Sequence, residues 1–314
     1  MEYAISYGTY YQYLRPRRNP FIPNIEAIVQ IFNDGELAVE FPDSIRGKHI
    51  FIFGDTVKHM TELVMTIDAA RRSAACRITV VFPYYGFCRQ DKKGKGRASL
   101  GAAVVAKIVQ SLGVDQVIAI DLHADQIQLA YQIPFEHLSG AHLFENKLAE
   151  IITAAKENGK KVIFCSPDAG GTDRVKKIAK MFGLDYIVMA KDRAVPGEVA
   201  GMRVLADPAE LKDALIILID DIVDTAGTLI LADKTLRQYD PFDVMSLITH
   251  PVLSESKKSY DRVINSGIKL ITSDTRNTVI DKENENIVVV SCYDILHQAI
   301  LNITENRSIL TTLA

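Results

Sequence analysis

The chain lacks tryptophan, has few cysteines and contains no long apolar run, and these shortages exclude several classes of protein. Its 314 residues include four widely separated cysteines, Cys76, Cys88, Cys165 and Cys292. Scattered thiols of this kind are typical of reduced, buried cysteines in a cytoplasmic protein rather than of a disulfide framework or a zinc site. No stretch approaches the roughly 18 consecutive apolar residues of a membrane span. We therefore expect a cytoplasmic protein with no membrane partner.

An excess of charge of one sign is also lacking. The formal net charge is −3 at pH 7, and 24% of the residues are charged. This balance gives no reason to expect nucleic acid or an anionic membrane as a partner. The length and the 48% apolar content are sufficient for two soluble domains of ordinary size.

Short β-rich runs alternate with amphipathic segments along most of the chain. This alternation predicts an α/β fold with mainly parallel sheets flanked by helices. Residues 27–41, with Asn33, Asp34 and Gly35 at their centre, have instead the pattern of a β-hairpin. The order of strand, acid and turn around Asp121 recurs around Asp220, which indicates a duplication with a boundary near residues 139–143.

The most informative segment joins an apolar strand to two acids and a turn of small residues. Residues 215–219 are typical of a buried parallel strand and are followed by Asp220 and Asp221. The turn consists of Asp224, Thr225, Ala226, Gly227 and Thr228. Such a turn before a helix directs amides at a phosphate, and paired acids suit ribose hydroxyls or a magnesium–diphosphate. We expect a phosphorylated sugar here; the alternative is that the acids merely cap the helix.

A basic loop with several glycines follows another predicted strand. Arg89 and Gln90 are placed to bracket a purine and its phosphates. Four further cations would balance the charge of a polyphosphate: Lys92, Lys93, Lys95 and Arg97. The alternative is an ordinary solvated loop.

Two potential metal ligands also follow predicted strands. His123 comes two residues after Asp121, and Asp168 precedes two glycines. Together His123 and Asp168 could hold a hydrated Mg²⁺, which takes few protein ligands and fills its shell with phosphate oxygens and water. A structural histidine is the alternative.

Lys191 and Arg193 end a further strand, and the Pro/Gly-containing residues 194–201 are typical of a flap. On an extended chain the two cations face the same way. Paired cations of this kind stabilise the charge that builds up during phosphoryl transfer.

Taken together, these segments resemble the class I ribose-phosphate diphosphokinase (PRPP synthetase) family over nearly the whole chain. The most specific motifs are Ser44-Ile-Arg-Gly, Arg89-Gln-Asp-Lys, Asp121-Leu-His-Ala-Asp-Gln, Ser166-Pro-Asp-Ala-Gly-Gly and Asp220-Asp-Ile-Val-Asp-Thr-Ala-Gly-Thr. The resemblance implies two tandem type I phosphoribosyltransferase-like domains. They would span residues 1–141, on the ATP side, and 142–290, on the ribose 5-phosphate side. Residues 291–314 would pack back on the N-terminal domain.

The resemblance further implies that the enzyme transfers the β,γ-diphosphate of Mg-ATP to the C1 hydroxyl of ribose 5-phosphate. It implies Mg²⁺ at His123 and Asp168, and catalysis by Lys191 and Arg193. The implied ATP contacts are Phe32, Asp34, Gly35, Glu36, Arg89 and Gln90. Ribose 5-phosphate would contact Arg193, Asp220, Asp221, Asp224, Thr225, Ala226, Gly227 and Thr228. The hairpin would reach a neighbouring subunit's ATP site in a hexamer built from dimers.

Two alternatives remain open at this point. One is a non-catalytic regulatory homologue of the synthetase, against which the intact Lys191, Arg193, His123 and Asp168 argue. The other is a transferase that consumes PRPP. The Arg89-Gln-Asp and Asp121-Leu-His segments are not expected in such a transferase, so they favour the synthetase.

Overall fold

The computed structural model describes residues 2–15, 23–94, 96–192, 201–255, 257–278, 280–281 and 283–309, with residues 191 and 192 described in the backbone alone. The chain divides into two compact units. The first comprises Met1–Ser139 together with Tyr293–Ala314, and the second comprises Gly140–Cys292.

The first unit contains a five-stranded parallel sheet and a separate hairpin. Its strands are β1 (Tyr3–Tyr7), β2 (Ile28–Ile31), β3 (Leu37–Glu40), β4 (His49–Phe53), β5 (Arg77–Phe82), β6 (Gln116–Ile120) and β7 (Phe135–Leu138). The sheet order is β1-β4-β5-β6-β7, and all neighbours in it run parallel. Helices α1 (Met60–Arg72) and α2 (Gly101–Ser111) connect its strands. Every residue of β4 and β6 is buried, as expected for parallel strands covered on both faces.

Strands β2 and β3 form the predicted antiparallel hairpin. Its turn is closed by hydrogen bonds from the Phe32 amide to the Glu36 carbonyl, 2.9 Å, and from the Gly35 amide to the Phe32 carbonyl, 2.9 Å. Gly35 has a φ of 91°, in the left-handed region that glycine adopts without strain. The hairpin leaves apolar side chains in solvent: Ile31 is 70% exposed and Phe32 45%.

The second unit contains a seven-stranded sheet in the order β10-β9-β8-β11-β12-β13-β14. Its strands are β8 (Val162–Ser166), β9 (Asp185–Asp192), β10 (Gly201–Val204), β11 (Leu215–Val223), β12 (Asp243–Pro251), β13 (Lys269–Ser273) and β14 (Ile287–Val290). All pairs run parallel except β10 with β9, at one edge. Its helices are α3 (Gly140–Leu143), α4 (Glu145–Glu157), α5 (Thr172–Phe182), α6 (Pro208–Leu211), α7 (Gly227–Arg237) and α8 (Lys257–Asn265). The last helix of the chain, α9 (Tyr293–Thr304), groups with the first unit.

The predicted α/β fold with two tandem, mainly parallel sheets is confirmed. The cysteine prediction needs a correction, because Cys76 is exposed while Cys88, Cys165 and Cys292 are buried. Cys76 lies just before β5, where the chain is still at the surface. None of the helices in the described ranges is long and apolar enough to cross a membrane.

The close approach of α1 to the end of β4 generates a stability prediction. A Cβ at Gly54 would lie 2.6 and 2.8 Å from the two terminal carbons of Leu63. We therefore expect Gly54→Ala to lower the free energy of unfolding by about 1–3 kcal/mol through overpacking. Leu63→Ala alone should cost about 2–5 kcal/mol. The double variant should lose less than the sum, because the new methyl group then occupies the vacated space.

Equilibrium denaturant unfolding of the four proteins measures this coupling. Gly94→Ala is the control, since a Cβ there has no neighbour within 4 Å among the described residues. Additive losses in the double variant would contradict the packing argument.

Candidate functional site

The central strand of the second unit carries the two adjacent acids. Strand β11 is longer than predicted and continues through Asp220 and Asp221 to Val223. Asp221 is buried, and the Asp220 side chain is 25% exposed. Arg174, in the first turn of α5, places its Nη1 atom 3.6 Å from Asp221 Oδ1 and 4.0 Å from Asp220 Oδ1. One guanidinium therefore faces two carboxylates.

The surroundings of Asp220 raise its pKa more than Arg174 lowers it. Burial raises the pKa of Asp220 well above its usual range, and the neighbouring Asp221 carboxylate raises it further. Arg174 opposes this shift, while Asp168 adds to it. Asp220 thus keeps its proton at pH values where an exposed aspartic acid has lost it. Such a carboxyl can both donate and accept hydrogen bonds with a polyol.

The turn after β11 is held by side chains outside the turn. Asp224 Oδ1 accepts hydrogen bonds from both the amide, 3.0 Å, and the hydroxyl of Ser254. Arg262 Nη1 donates to the Thr225 carbonyl, 3.3 Å. Ala226 has a φ of 64° and is the N-cap of α7, which begins at Gly227. This left-handed residue turns the chain so that α7 starts directly after the strand.

The N-cap of α7 is not an acid. It is Ala226, while Asp220 and Asp221 lie in β11 and the carboxylate of Asp224 accepts from Ser254. The first amides of a helix have no partner within the helix itself, so the start of α7 offers donors to an anion.

Asp168 lies at the end of the neighbouring strand β8. Its Oδ1 atom accepts hydrogen bonds from the amides of Gly170, 2.9 Å, and Gly171, 3.3 Å. Ser166 donates to the carbonyl of Asp168, 2.6 Å. A Cβ at Gly171 would lie 2.6 Å from Ser166 Oγ. Glycine is thus required here by the tight turn after β8.

In the first unit, the start of the basic loop is packed firmly while its tip is exposed. Buried Tyr85 donates to the Ala102 carbonyl, 2.9 Å. A Cβ at Gly86 would lie 2.1 Å from the Thr56 hydroxyl, so only glycine fits there. Arg89 and Gln90 follow directly and are exposed. The loop therefore presents these two side chains from a fixed base.

The turn that carries His123 is held by strand β7. Asp121 has a φ of 40°, and its amide donates to the Leu138 carbonyl, 2.9 Å. The next amide, of Leu122, donates to His137 Nε2, 2.9 Å. His123 itself is exposed.

A hydrogen bond joins two of the predicted motifs within the first unit. Gln126, three residues after His123, donates from Nε2 to Asp91 Oδ2, 2.7 Å. Asp91 directly follows Arg89 and Gln90. The segments that carry the predicted ATP contacts and the predicted metal ligand are therefore connected.

The remaining predicted residues are placed as follows. Asp34, Gly35 and Glu36 occupy the hairpin turn, where Asp34 Oδ1 accepts from the Glu36 amide, 3.1 Å. Lys191 lies in β9, and Arg193 lies outside the described residues. His123 belongs to the first unit and Asp168 to the second, so neither unit alone contains the predicted metal pair.

Sequence reasoning missed Arg174, Ser254 and His137, which hold the predicted site residues in position. Arg174 was hidden in an amphipathic helix pattern, and His137 lies on a short strand without a motif. Their contacts depend on tertiary structure. For Arg174 the sequence did offer a signal, because it lies at the start of the helix that follows the Ser166–Gly171 motif.

Comparisons with known proteins give consistent results. Residues 18–113 match the family model described as the N-terminal domain of ribose phosphate pyrophosphokinase, and residues 137–290 match the phosphoribosyl transferase domain. A ribose-phosphate pyrophosphokinase of Campylobacter jejuni is 36% identical over 92% of this chain and 91% of its own. One from Staphylococcus saprophyticus is also 36% identical, over 90% and 87%. A crystal structure of phosphoribosylpyrophosphate synthetase from Mycobacterium smegmatis has a TM-score of 0.85 and 28% identity, covering 98% of this chain and all of its own.

The raised pKa of Asp220 generates a prediction about how stability depends on pH. Because its pKa is raised in the folded state, the folded protein binds this proton more tightly than the unfolded chain does. Stability is therefore lost as the pH rises from about 4, the usual value of an aspartic acid, towards the raised pKa. Asn cannot ionise, so Asp220→Asn should be more stable than the unaltered protein at pH 8, on the order of 1 kcal/mol.

Unfolding curves measured without ligand between pH 4 and 8 test this expectation, since the two proteins should converge near pH 4. Asp43→Asn, at an exposed position of the first unit, is the control and should leave the profile unchanged. Parallel profiles for Asp220→Asn and the unaltered protein would refute the assignment.

Proposed function

Because the chain belongs to the ribose-phosphate pyrophosphokinase family, we propose that it transfers the β,γ-diphosphate of Mg-ATP to ribose 5-phosphate, giving PRPP and AMP. The observation that carries this proposal is the arrangement at the end of β11. An acid pair, with Asp221 buried and Asp220 partly exposed, lies before a turn that ends at the N-terminus of α7. A phosphorylated ribose matches both parts at once, since its hydroxyls suit the acids and its phosphate suits the turn.

In this proposal ribose 5-phosphate places its phosphate against residues 224–228 and its hydroxyls near Asp220 and Asp221. Asp220 is suited to polar contact with hydroxyls because its raised pKa lets the carboxyl either donate or accept. Arg174 limits the rise in the pKa of Asp220, since its guanidinium favours the ionised form of that carboxyl. Asp224 acts indirectly, because its carboxylate is engaged by Ser254 and fixes the turn.

ATP binding is assigned to the first unit. Arg89 and Gln90 lie on the basic loop beyond its fixed base and are exposed to solvent, where a purine and its phosphates can reach them. Phe32, Asp34, Gly35 and Glu36 contribute from the hairpin. Phe32 is 45% exposed, so its ring is accessible for stacking on a base.

His123 and Asp168 are the proposed Mg²⁺ ligands. No group of three or more His, Cys, Asp or Glu side chains within the described residues is arranged to hold a metal ion. Two side-chain ligands are compatible with Mg²⁺, which binds through one or two protein groups and completes its octahedron with phosphate oxygens and water. When bound, the ion supplies charge neutralisation on the diphosphate being transferred.

The anomeric hydroxyl attacks the β-phosphorus in line and loses its proton to solvent, and AMP leaves as its bond to that phosphorus breaks. Lys191 and Arg193 stabilise the charge on the transferred group in the transition state, and no covalent intermediate is needed. Release of AMP that depends on ribose 5-phosphate tests the reaction. ADP as product would overturn the reaction class. Diphosphate release from PRPP with a base acceptor would indicate the consuming transferase instead.

Lys191 offers a kinetic prediction. Lys191→Ala should lower kcat on the order of 10²-fold or more, because it removes a preorganised charge from the transition state. Ribose 5-phosphate binding should survive, since its phosphate and hydroxyls contact other residues. Steady-state AMP release and a separate ribose 5-phosphate binding titration measure the two effects. Lys180→Ala, at an exposed position in the last turn of α5, is the matched control; equal losses in both variants would contradict the assignment.

We also propose that the enzyme assembles as a hexamer built from dimers, in which each hairpin completes a neighbour's ATP site. The exposed Ile31 and Phe32 support this, because neighbouring apolar side chains at the surface are typical of contact surfaces.

Subunit mixing tests the shared site. Phe32→Ala and Lys191→Ala should each be nearly inactive alone. Co-refolded mixtures should regain activity at up to about a quarter of the sites. These are the sites that combine an intact hairpin from one subunit with an intact lysine from another. Lys180→Ala mixed with Phe32→Ala serves as the control for dilution. Mixtures of Phe32→Ala and Lys191→Ala that stay inactive, or a fully active monomer, would refute a shared site.

A further inference from the structure

His137 is placed to control the position of the proposed metal ligand His123 without touching the substrate. It lies on β7, beside β6, and its side chain is 17% exposed. Its Nε2 atom accepts a hydrogen bond from the Leu122 amide, 2.9 Å. Its Nδ1 atom lies 3.3 Å from Asp125 Oδ1. The imidazole therefore contacts the chain on both sides of His123.

These two contacts require one particular form of the ring. A backbone N–H can only donate, so Nε2 must be the acceptor, and the ring proton must lie on Nδ1, where it faces the Asp125 carboxylate. The ring thus connects a buried amide on one side of His123 to an exposed acid on the other. The Asp125 side chain is 62% exposed, so the buried Leu122 contact is the stronger of the two.

The turn between β6 and His123 needs such support. Asp121 has a φ of 40°, which a non-glycine residue adopts at a cost, so the surrounding contacts must impose it. The Leu138 carbonyl holds the Asp121 amide and His137 holds the next one. Both restraints come from adjacent residues of β7. Without the imidazole, the Leu122 amide loses its acceptor just where the chain turns outward towards His123.

We propose that His137 is a positioning residue that fixes the 121–125 turn and thereby the orientation of His123 towards the metal–nucleotide. This inference rests on the proposed function, because that function assigns His123 to Mg²⁺. Removing groups that orient metal ligands typically weakens metal binding by about 10–100-fold.

Two substitutions separate the effect of the hydrogen bonds of His137 from the effect of its ring shape. His137→Phe keeps a planar ring and removes both polar contacts. His137→Gln retains an oxygen acceptor for the Leu122 amide and an N–H donor for Asp125. We expect His137→Phe to weaken Mn²⁺ binding, measured by electron paramagnetic resonance with an α,β-methylene analogue of ATP, by roughly ten-fold or more. His137→Gln should remain within about three-fold of the unaltered protein.

The same variants are then assayed for the Mg²⁺ dependence of AMP release and for the KM of ribose 5-phosphate. The concentration of Mg²⁺ needed for half-maximal activity should rise for His137→Phe, while the KM of ribose 5-phosphate stays unchanged. His59→Gln is the control, since His59 pairs with Glu62 at the start of α1, away from the turn. If His137→Phe does not fold, Asp125→Asn provides a second probe at an exposed position. We expect it to weaken Mn²⁺ binding as well, by a smaller factor.

A His137→Phe protein that folds and binds Mn²⁺ as well as the unaltered protein would overturn the inference even if its thermal stability is lowered. Where that variant does not fold, unshifted Mn²⁺ binding in Asp125→Asn would overturn it. An unaltered protein that releases no AMP in response to ribose 5-phosphate would overturn the proposed function, and the inference with it. The two failures are therefore distinguishable.

Discussion

The parallel pairing of β11 with strands on both sides is the constraint on which the proposed sugar-phosphate site depends. Leu218 is paired with Cys165 of β8, and Asp220 with Ile248 of β12. Parallel strands end at the same edge of a sheet. This register therefore brings the turn after β8, the acids of β11 and the segment after β12 to the same edge. Arg174 and Ser254 can then reach Asp221 and Asp224 from the flanking segments.

Much of the fold could be predicted from sequence because parallel strands buried on both faces are continuous apolar runs. The sequence predicts strands over residues 49–53, 77–82, 116–120 and 287–290, and these are the bounds of β4, β5, β6 and β14. The prediction ended β11 at Ile219, before the two acids. Pairing with β12 extends the strand through both acids to Val223. Strand β7 contains Glu136 and His137 and lacks an apolar run. Its strand character comes from pairing with β6, which only tertiary structure provides.

The candidate site was predictable where its residues follow one another closely along the chain, as they do from Asp220 to Thr228. It was not predictable where a single side chain acts across space. Arg174, Ser254 and His137 are ordinary polar residues, and their importance comes from the atoms they meet. The need for glycine at 171 likewise comes from a contact within the fold, because the Ser166 hydroxyl occupies the space that a side chain would take.

The two units use the same order of strand, acid and turn to present different chemistry. After β6 the acid itself, Asp121, adopts a left-handed φ of 40°, and the turn projects a side chain, His123. After β11 the left-handed residue is Ala226, φ 64°, placed so that a helix starts at once and projects backbone amides. An imidazole suits a metal, and amides suit a phosphate. Both strained residues are non-glycine, so each conformation costs free energy that the neighbouring contacts must offset. The position of the strained residue therefore accounts for the difference between the two proposed sites, a side-chain ligand after β6 and backbone amides after β11.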